Sequence, residues 1–406
     1  MKIERPRGTR DFLPEEMEKR RAVEKVMRRI AESYGYREVM TPTFEHSELF
    51  KIKSGEEIVK EMYVFLDKGG REMALRPELT APVVRMFLDC CEVLPKPLRF
   101  YYFSNCFRYE RPQRGRFREF WQFGAELIGS NSCLAEAEVI SLAYEILKAL
   151  KVEFELKIGH VGIMRKVLSG IENSEKIMHL IDKKDVENLL SEMERLEVPK
   201  DVREKVLMLM DLKGDLSILE DVKIEEADRL KKLAEVLEDY KVKYKLDLGI
   251  VRGLDYYTGV VFEFYSEKLG AQKQICGGGS YELASLFGGK ETPATGFAIG
   301  FDRVCEICEV DLEKRVKVVV VSFKETYSKA IEIAKKLREK DLIVIIDVMD
   351  RSVKKQLSFA NDISADFALI VGGRELEAGE VLIKNLRSGE QFGVKISDLS
   401  PALFVK

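Results

Sequence analysis

RFYYFSNCFRYERPQRGRFREFWQFGAELIG, Arg99 to Gly129, reads as two strands joined by a basic loop. Arg99–Tyr109 is rich in aromatics, Phe117–Gly129 follows suit, and Pro112 and Gly115 mark a loop between them. The expectation is a long antiparallel hairpin. Period-two alternation sorts the second strand: Trp121, Phe123, Ala125 and Leu127 share one face, while Gln122, Gly124 and Glu126 share the other with Phe120 and Ile128. One side of the hairpin should pack. The other should form a polar floor, with a gap at Gly124 where a ligand could approach the backbone. Five Arg against two Glu between 108 and 119 is more charge than a turn needs, and guanidinium groups hold phosphate in a bidentate fork. A solvent-facing edge strand and a solvated turn are the bland alternatives. Gln122 and Glu126 together with the flanking arginines weigh against both.

The chain around this hairpin has 406 residues, 46% of them hydrophobic and 34% charged, enough apolar material for more than one core. Net charge is −3, so a nucleic-acid partner must be met by local patches rather than a bulk basic field. No apolar run is long enough to span a bilayer, and MKIERPRGTRDF lacks the apolar core of a signal peptide, so the expected compartment is the cytoplasm. Seven Cys, an odd number in a long chain, suit reduced thiols. Cys305 and Cys308 read as half-buried helix neighbours rather than half of a zinc site. Three dispersed His (His46, His160, His179) make no triad, and His160 in IGHVGIMRKV reads as a strand end turning into a helix. Chemistry then falls to carboxylates, arginines, backbone groups and a metal carried by a substrate.

Further along, Val23, Val26, Ile30 and Tyr34 recur at helical spacing within 15–34. YREVMTPTFEHSELF reads as a strand broken at Pro42, DKGGRE as a hairpin turn, and Pro77 as a helix start. From Ile171 to Glu238 the pattern becomes Leu, Ile and Met among Lys, Glu and Asp, a helical insertion into the sheet. Beyond the linker VDLEKR, apolar strands alternate with amphipathic helices, which indicates an α/β domain over 316–406. There is no GxxxxGK[ST], so phosphate would be held by Arg side chains rather than a P-loop. VRGLDYYTG sets Arg252, Asp255, Tyr256 and Tyr257 beside glycines. CGGGSYELASLFGG could bring backbone close to a ligand. ATGFAIGFDRV reads as a strand running into a helix with Arg303 at the junction.

These segments together resemble the class II aminoacyl-tRNA synthetases and, within them, the histidyl-tRNA synthetase family, over nearly the whole chain. TPTFE is similar to motif 1, FRYERPQRGRFREFWQFGAE to motif 2 and GFAIGFDR to motif 3. RGLDYYTG is similar to the first histidine signature, CGGGSYE to the second, and LRPELTAP to the substrate-binding turn after motif 1. The second signature in many members reads GGGRYD; here Ser280 stands for the Arg. The resemblance implies an α+β fold: an antiparallel sheet of six or seven strands flanked by helices, a helical insertion and a C-terminal α/β anticodon-binding domain. It implies a catalytic domain over 1–170 and 239–312, the insertion over 171–238 and the anticodon-binding domain over 316–406.

The resemblance further implies that Glu78, Thr80 and Gln122 hold the α-ammonium of histidine, that Leu79 of the same turn is among the histidine-binding residues, that Glu126 and Tyr257 read its imidazole, and that Tyr256 lines that pocket. Arg108 and Arg252, the catalytic pair, would contact the histidine carboxylate and the α-phosphate. Arg108, Glu110, Arg116 and Arg303 would hold ATP, which enters as substrate with Mg²⁺, and no metal site belongs to the protein itself. Carboxylate and amide acceptors suit an ammonium, and a Glu–Tyr pair suits a two-nitrogen ring. The implied activity is histidine–tRNA ligation, with tRNA(His) as partner, a homodimer and no membrane. Two other readings stay open: a synthetase-like, histidine-binding regulatory subunit of ATP phosphoribosyltransferase, and another class II synthetase such as a prolyl or threonyl enzyme. The intact RGLDYYTG and the presence of 316–406 weigh against the first; Glu126 with Tyr256 and Tyr257 weighs against the second.

Overall fold

In the computed structural model the described residues are 3–52, 59–111, 115–220, 222, 224–252, 256–270, 273–312 and 314–404. Pro14 opens helix α1 (Pro14–Ser33), whose buried stripe is Val23, Met27 and Ala31. The expected Val26, Ile30 and Tyr34 lie on the flank of that stripe, only partly buried. Two short strands follow, β1 (Arg37–Glu38) and β2 (Phe44–His46), and the chain then turns helical as α2 (Ser47–Lys51). The single broken strand expected here does not form. The helical turn buries Phe50 against Met62, Ala74 and Ala81, and brings Ser47 and Lys51, four residues apart, onto Glu72. Strands β3 (Val64–Leu66) and β4 (Glu72–Leu75) form the hairpin around DKGGRE and complete a small sheet in the order β2-β4-β3. Helix α3 (Thr80–Cys90) starts three residues after Pro77, because the Glu78 carboxylate accepts the N–H groups of Thr80 at 2.6 Å and Ala81 at 3.0 Å.

The basic loop joins β5 (Leu98–Phe107) to β6 (Glu119–Ile128), which pair antiparallel from Leu98 opposite Ile128 to Phe107 opposite Glu119. Next come α4 (Cys133–Ala149), capped by Ser132, then β7 (Glu155–His160) and α5 (Val161–Val167). Four helices follow: α6 (Ser174–Lys183), α7 (Val186–Arg195), α8 (Lys200–Asp211) and, after β8 (Lys213–Gly214), α9 (Glu225–Asp239). Strands β9 (Lys245–Asp247), β10 (Tyr257–Tyr265), β11 (Gln274–Tyr281) and β12 (Ala294–Gly300) lead into α10 (Phe301–Ile307). The sheet has nine strands in the order β1-β5-β6-β12-β11-β10-β7-β9-β8. It is mixed rather than wholly antiparallel: β1 lies parallel to β5 and β7 parallel to β9. Both parallel pairs close long crossovers containing helices, as parallel pairing requires.

Both faces of this sheet are covered. Phe123, Ala125 and Leu127 join the cluster under α1 and α4, while Phe100, Tyr102, Cys106 and Ile128 join a second cluster with Val83, Val84 and Phe87 of α3. The polar side of β6 therefore stands inside the protein, in the middle of the sheet, and not on a solvent-facing edge.

The chain divides into two compact units, Met1–Asp311 and Leu312–Lys406. The second unit has strands β13 (Lys317–Ser322), β14 (Ile343–Ile346), β15 (Phe367–Val371), β16 (Glu380–Asn385) and β17 (Gln391–Lys395) in the order β14-β13-β15-β16-β17. The first three are parallel and the last two antiparallel. Helices α11 (Tyr327–Arg338) and α12 (Val353–Asp362) cover opposite faces, so the Val318–Val321 run is buried on both sides.

His160 ends β7 and caps α5: its Nδ1 accepts the Gly162 N–H at 3.1 Å. Burial pulls its pKa from 6.5 down to about 4, and Arg229 and Arg165 add to this against Glu226. The folded state thus resists a proton that the unfolded chain takes up near 6.5. Stability from this group is complete above that pH and is lost as pH falls toward about 4. Denaturant unfolding across this window should show a steeper acid-side loss for the native chain than for His160→Asn, which keeps a capping oxygen but cannot titrate.

Candidate active site

A cavity of about 250 Å³ opens on the polar side of β6, β11 and β12. Its floor is Glu126, with no solvent exposure. Thr80 and Tyr102 donate to its Oε1 at 2.9 and 3.1 Å, and Tyr281 donates to Oε2 at 2.7 Å. Burial drives the Glu126 carboxyl up to about 8, with the Tyr281, Thr80 and Tyr102 hydroxyls pulling the other way. Glu78 is buried beside it. Burial raises its pKa too, against the Ala81 and Thr80 N–H groups and the nearby Arg108. Tyr256 and Tyr257 pack at 4.9 Å between ring centroids with their planes tilted by 43°, and burial raises both hydroxyls. Gln122 sits two strand repeats from Glu126 and accepts the Cys106 thiol at 3.4 Å.

The other walls are cationic. Arg108 is fixed by its Nε donating to Pro77 O at 2.9 Å and lies over the Phe120 ring. Arg116 pairs with Glu110 at 3.2 Å. Arg303, on the first turn of α10, donates to Gly115 O at 2.9 Å and Gln274 O at 2.7 Å. Burial lowers the Arg303 pKa, and Arg116 and Arg108 lower it further, so three guanidiniums converge with Glu110 as a nearby acid. Such a cluster fits a polyanion. Arg252 has φ +57°, a left-handed backbone that a non-glycine residue holds only under constraint. It pairs with Glu263 at 2.9 Å and lies 5.3 Å from the Tyr257 ring centroid. Burial opposes its charge, but Tyr257 and Glu263 hold its pKa above the ordinary value. A Cβ at Gly277 would stand 1.8 Å from Arg252 Nη1, so the glycine run of the second signature makes room for a guanidinium.

Eleven of the twelve residues expected at the site line this cavity: Glu78, Thr80, Arg108, Glu110, Arg116, Gln122, Glu126, Arg252, Tyr256, Tyr257 and Arg303. Leu79 does not. It is buried in the apolar cluster with Val83 and Phe87, because the Glu78-capped turn points successive side chains to opposite sides. The expected gap at Gly124 is also filled: a Cβ there would lie 2.3 Å from the Tyr102 hydroxyl, so the glycine admits that ring and no ligand. Trp121 packs on Phe103 at 4.9 Å between centroids yet also reaches the cavity wall. Ser280 points away from the cavity, since alternation along β11 sends Tyr281 in and Ser280 out. Its hydroxyl donates to the buried Glu136 at 2.6 Å, and Arg229 from α9 reaches the same carboxylate at 2.9 Å. Glu136 thus has a guanidinium partner from outside the signature. Pro112, Arg114 and Asp255 lie outside the described residues.

Sequence reasoning missed Tyr102 and Tyr281, the donors to Glu126, and Glu263, which holds Arg252 and accepts Gln274 Nε2 at 2.7 Å and the Tyr265 hydroxyl. Glu263 was detectable as a lone acid in the apolar strand VVFEFY. Tyr281 was detectable as the inward neighbour of Ser280. Tyr102 had no signal distinguishing it from the other aromatics of β5.

The profile described as Histidyl-tRNA synthetase matches residues 8–304, and the one described as Anticodon binding domain matches 316–404. The Histidine–tRNA ligase of Archaeoglobus fulgidus is 60% identical over 404 residues, covering 98% of this chain and 99% of that protein. The crystal structure of apo S. aureus histidyl-tRNA synthetase superposes with a TM-score of 0.73 at 27% identity, covering 98% of each chain. A Bacillus halodurans structure described as an ATP phosphoribosyltransferase regulatory subunit/histidyl-tRNA synthetase superposes with a TM-score of 0.77 at 29% identity, over 89% of this chain and 97% of that one. With a profile match across most of its length and a full-length relative at that identity, the chain belongs to the histidyl-tRNA synthetase family.

Proposed function

We propose that this protein activates L-histidine with ATP and transfers it to the 3′ end of tRNA(His), using the cavity above for both steps. One observation carries the reading: a buried carboxylate held by three hydroxyls faces a wall of guanidiniums across a single cavity. Glu126 and Tyr257 read the imidazole, with Tyr256 closing the pocket. Glu78, Thr80 and Gln122 hold the α-ammonium. Leu79 serves this turn by anchoring it in the core. Arg108 and Arg252 take the histidine carboxylate and the α-phosphate, Arg116 and Arg303 grip the triphosphate, and Glu110 lies near the adenine.

In the first step a carboxylate oxygen of histidine attacks the α-phosphorus, the bond to the β-phosphate oxygen breaks, and pyrophosphate leaves. The nucleophile is already anionic, so the protein supplies position and charge neutralisation rather than a general base. In the second step the 3′-terminal hydroxyl of the tRNA attacks the acyl carbon, the bond from that carbon to the phosphate oxygen breaks, the hydroxyl proton passes to the departing phosphate, and AMP leaves. Mg²⁺ enters as the counter-ion of the nucleotide. Among the described residues no group of three or more His, Cys, Asp or Glu gathers to hold a metal of the protein's own.

We assign residues 171–238 to the acceptor stem of the tRNA and 316–406 to its anticodon. The protein acts in the cytoplasm, where its seven unpaired cysteines suit a reducing milieu. It acts as a homodimer: Met40 is 76% exposed and Phe44 53% exposed, and Phe44 packs edge-on against exposed Phe65 at 6.3 Å, an apolar face beside motif 1. Sedimentation should give twice the 46.6 kDa chain mass, and a monomer at micromolar concentration would remove this assignment.

The isolated protein should charge tRNA(His), and in an amino-acid panel only histidine should support pyrophosphate exchange. Histidine binding without charging would favour the regulatory-subunit reading. Arg252→Ala should lower exchange roughly 10²–10³-fold, the scale of losing one electrostatic donor, with Tm followed because Glu263 loses its partner. Glu126→Gln should lower kcat/KM for histidine roughly 10- to 100-fold, the scale of one charge-assisted hydrogen bond, and leave the KM for ATP unchanged. In the native protein that parameter should climb as Glu126 ionises through about pH 8, and the Gln variant should lack this limb.

A further inference from the structure

The substrate roles above leave the N-terminal segment and Asp302 unexplained. Residues 6–9 form a tight turn in which the Thr9 N–H and hydroxyl both donate to Pro6 O, at 3.2 and 2.8 Å. The turn presents Gly8 O to the Arg118 N–H at 2.8 Å and Arg7 O to the Arg118 guanidinium at 3.4 Å. Arg118 also holds the opposite stem of the basic loop. Its carbonyl accepts the Arg108 N–H at 3.0 Å, its Nε donates to Glu110 O at 3.3 Å, and its guanidinium lies 3.8 Å from the Tyr109 ring centroid. Carbonyls and a ring thus hold Arg118 as a tie between the loop stems and the N-terminal turn.

Arg10 makes the second attachment. Its guanidinium lies 3.6 Å from the Phe117 ring centroid and donates to Asp302 Oδ1 at 2.8 Å. Asp302 is buried, and also receives Arg20 at 2.6 Å and the Trp121 N–H at 2.7 Å. Phe117 follows Arg116 in the chain, and Asp302 precedes Arg303. Each arginine assigned to the triphosphate is therefore one residue from a contact of Arg10. Arg10 itself does not line the cavity. The charge of Arg116 works against that of Arg303 until phosphate arrives; Gly115 O and Gln274 O already tether Arg303, and Arg10 adds a restraint from outside the cavity.

We propose that Arg10 is a positioning residue of the nucleotide subsite: by bridging Phe117 and Asp302 it fixes the spacing of Arg116 and Arg303 before ATP binds. This rests on the assignment of those two arginines to ATP. Preorganised cations act at full strength only when they are held in place, so loosening them should appear in ATP binding and not in histidine binding.

The test is histidine-dependent pyrophosphate exchange by the full-length protein. Arg10→Ala should raise the KM for ATP roughly 10- to 100-fold, the range for a displaced binding group, with the KM for histidine unchanged. Arg10→Lys should recover part of the loss, since an ammonium still meets Asp302 but cannot lie flat on Phe117. A merely structural role would lower Tm and kcat through a smaller active fraction and leave both KM values alone; that result overturns the proposal. If Arg10→Ala does not fold, Arg10→Lys decides, and an unchanged KM for ATP refutes the proposal. Arg303→Ala separates the two levels. If it leaves the KM for ATP unchanged, the assignment of the ATP site fails. If it raises that KM while neither Arg10 variant does, the positioning role fails and the assignment stands.

Discussion

A carboxylate buried in the middle of a nine-stranded sheet sets the terms for the rest of this protein. Glu126 loses its hydration on folding, and among the described residues its hydrogen-bond donors are three hydroxyls. Hydroxyls satisfy the oxygens without cancelling the charge, so the group keeps a raised affinity for a proton or for a cationic or N–H-bearing ligand. The donors come from the cap of α3, from β5 and from β11, and the sheet order is what brings these elements to one point. Covering the second face of the sheet with α3 is thus a requirement of the binding site as well as of the core.

The opposite end of the cavity meets the reverse constraint. Guanidiniums converge on it, and each must be aimed without being neutralised. The protein does this mainly with carbonyls. Arg108 is held by Pro77 O, and Arg303 by Gly115 O and Gln274 O. Neutral acceptors orient an arginine and leave its charge available to a phosphate. Two pair with acids instead, Arg116 with Glu110 and, deeper in the protein, Arg252. Arg252 is deep enough that an uncompensated charge would be costly, and it is paired with Glu263 and accommodated by the missing Cβ of Gly277.

Much of this was legible in the chain. Period-two alternation correctly set Gln122 and Glu126 on the cavity side and Phe123, Ala125 and Leu127 in the core, because a strand allows only two faces. The junction of β12 with α10 at Gly300 and Phe301 follows from the change of period there. Other readings failed for a common reason. Gly124 looked like space for a ligand, but the space belongs to Tyr102 on the neighbouring strand. Leu79 lay in the right turn, but the turn's geometry sends it into the core. Arg118, one of the five arginines counted in the basic stretch, is a staple between two stems and the N-terminal turn.

The residue pattern alone determined most of the elements, most of their buried faces and the chemical types available at each, since these depend on local spacing and composition. Tertiary structure decided the partnerships: Glu126 with Tyr281 across 155 residues of separation, Asp302 with Arg10 across 292, and the mixed edges of the sheet. Hydrogen bonds and ion pairs between distant segments depend on strand order and crossover path. No local periodicity encodes those, because they emerge only when both faces of the sheet are buried at once.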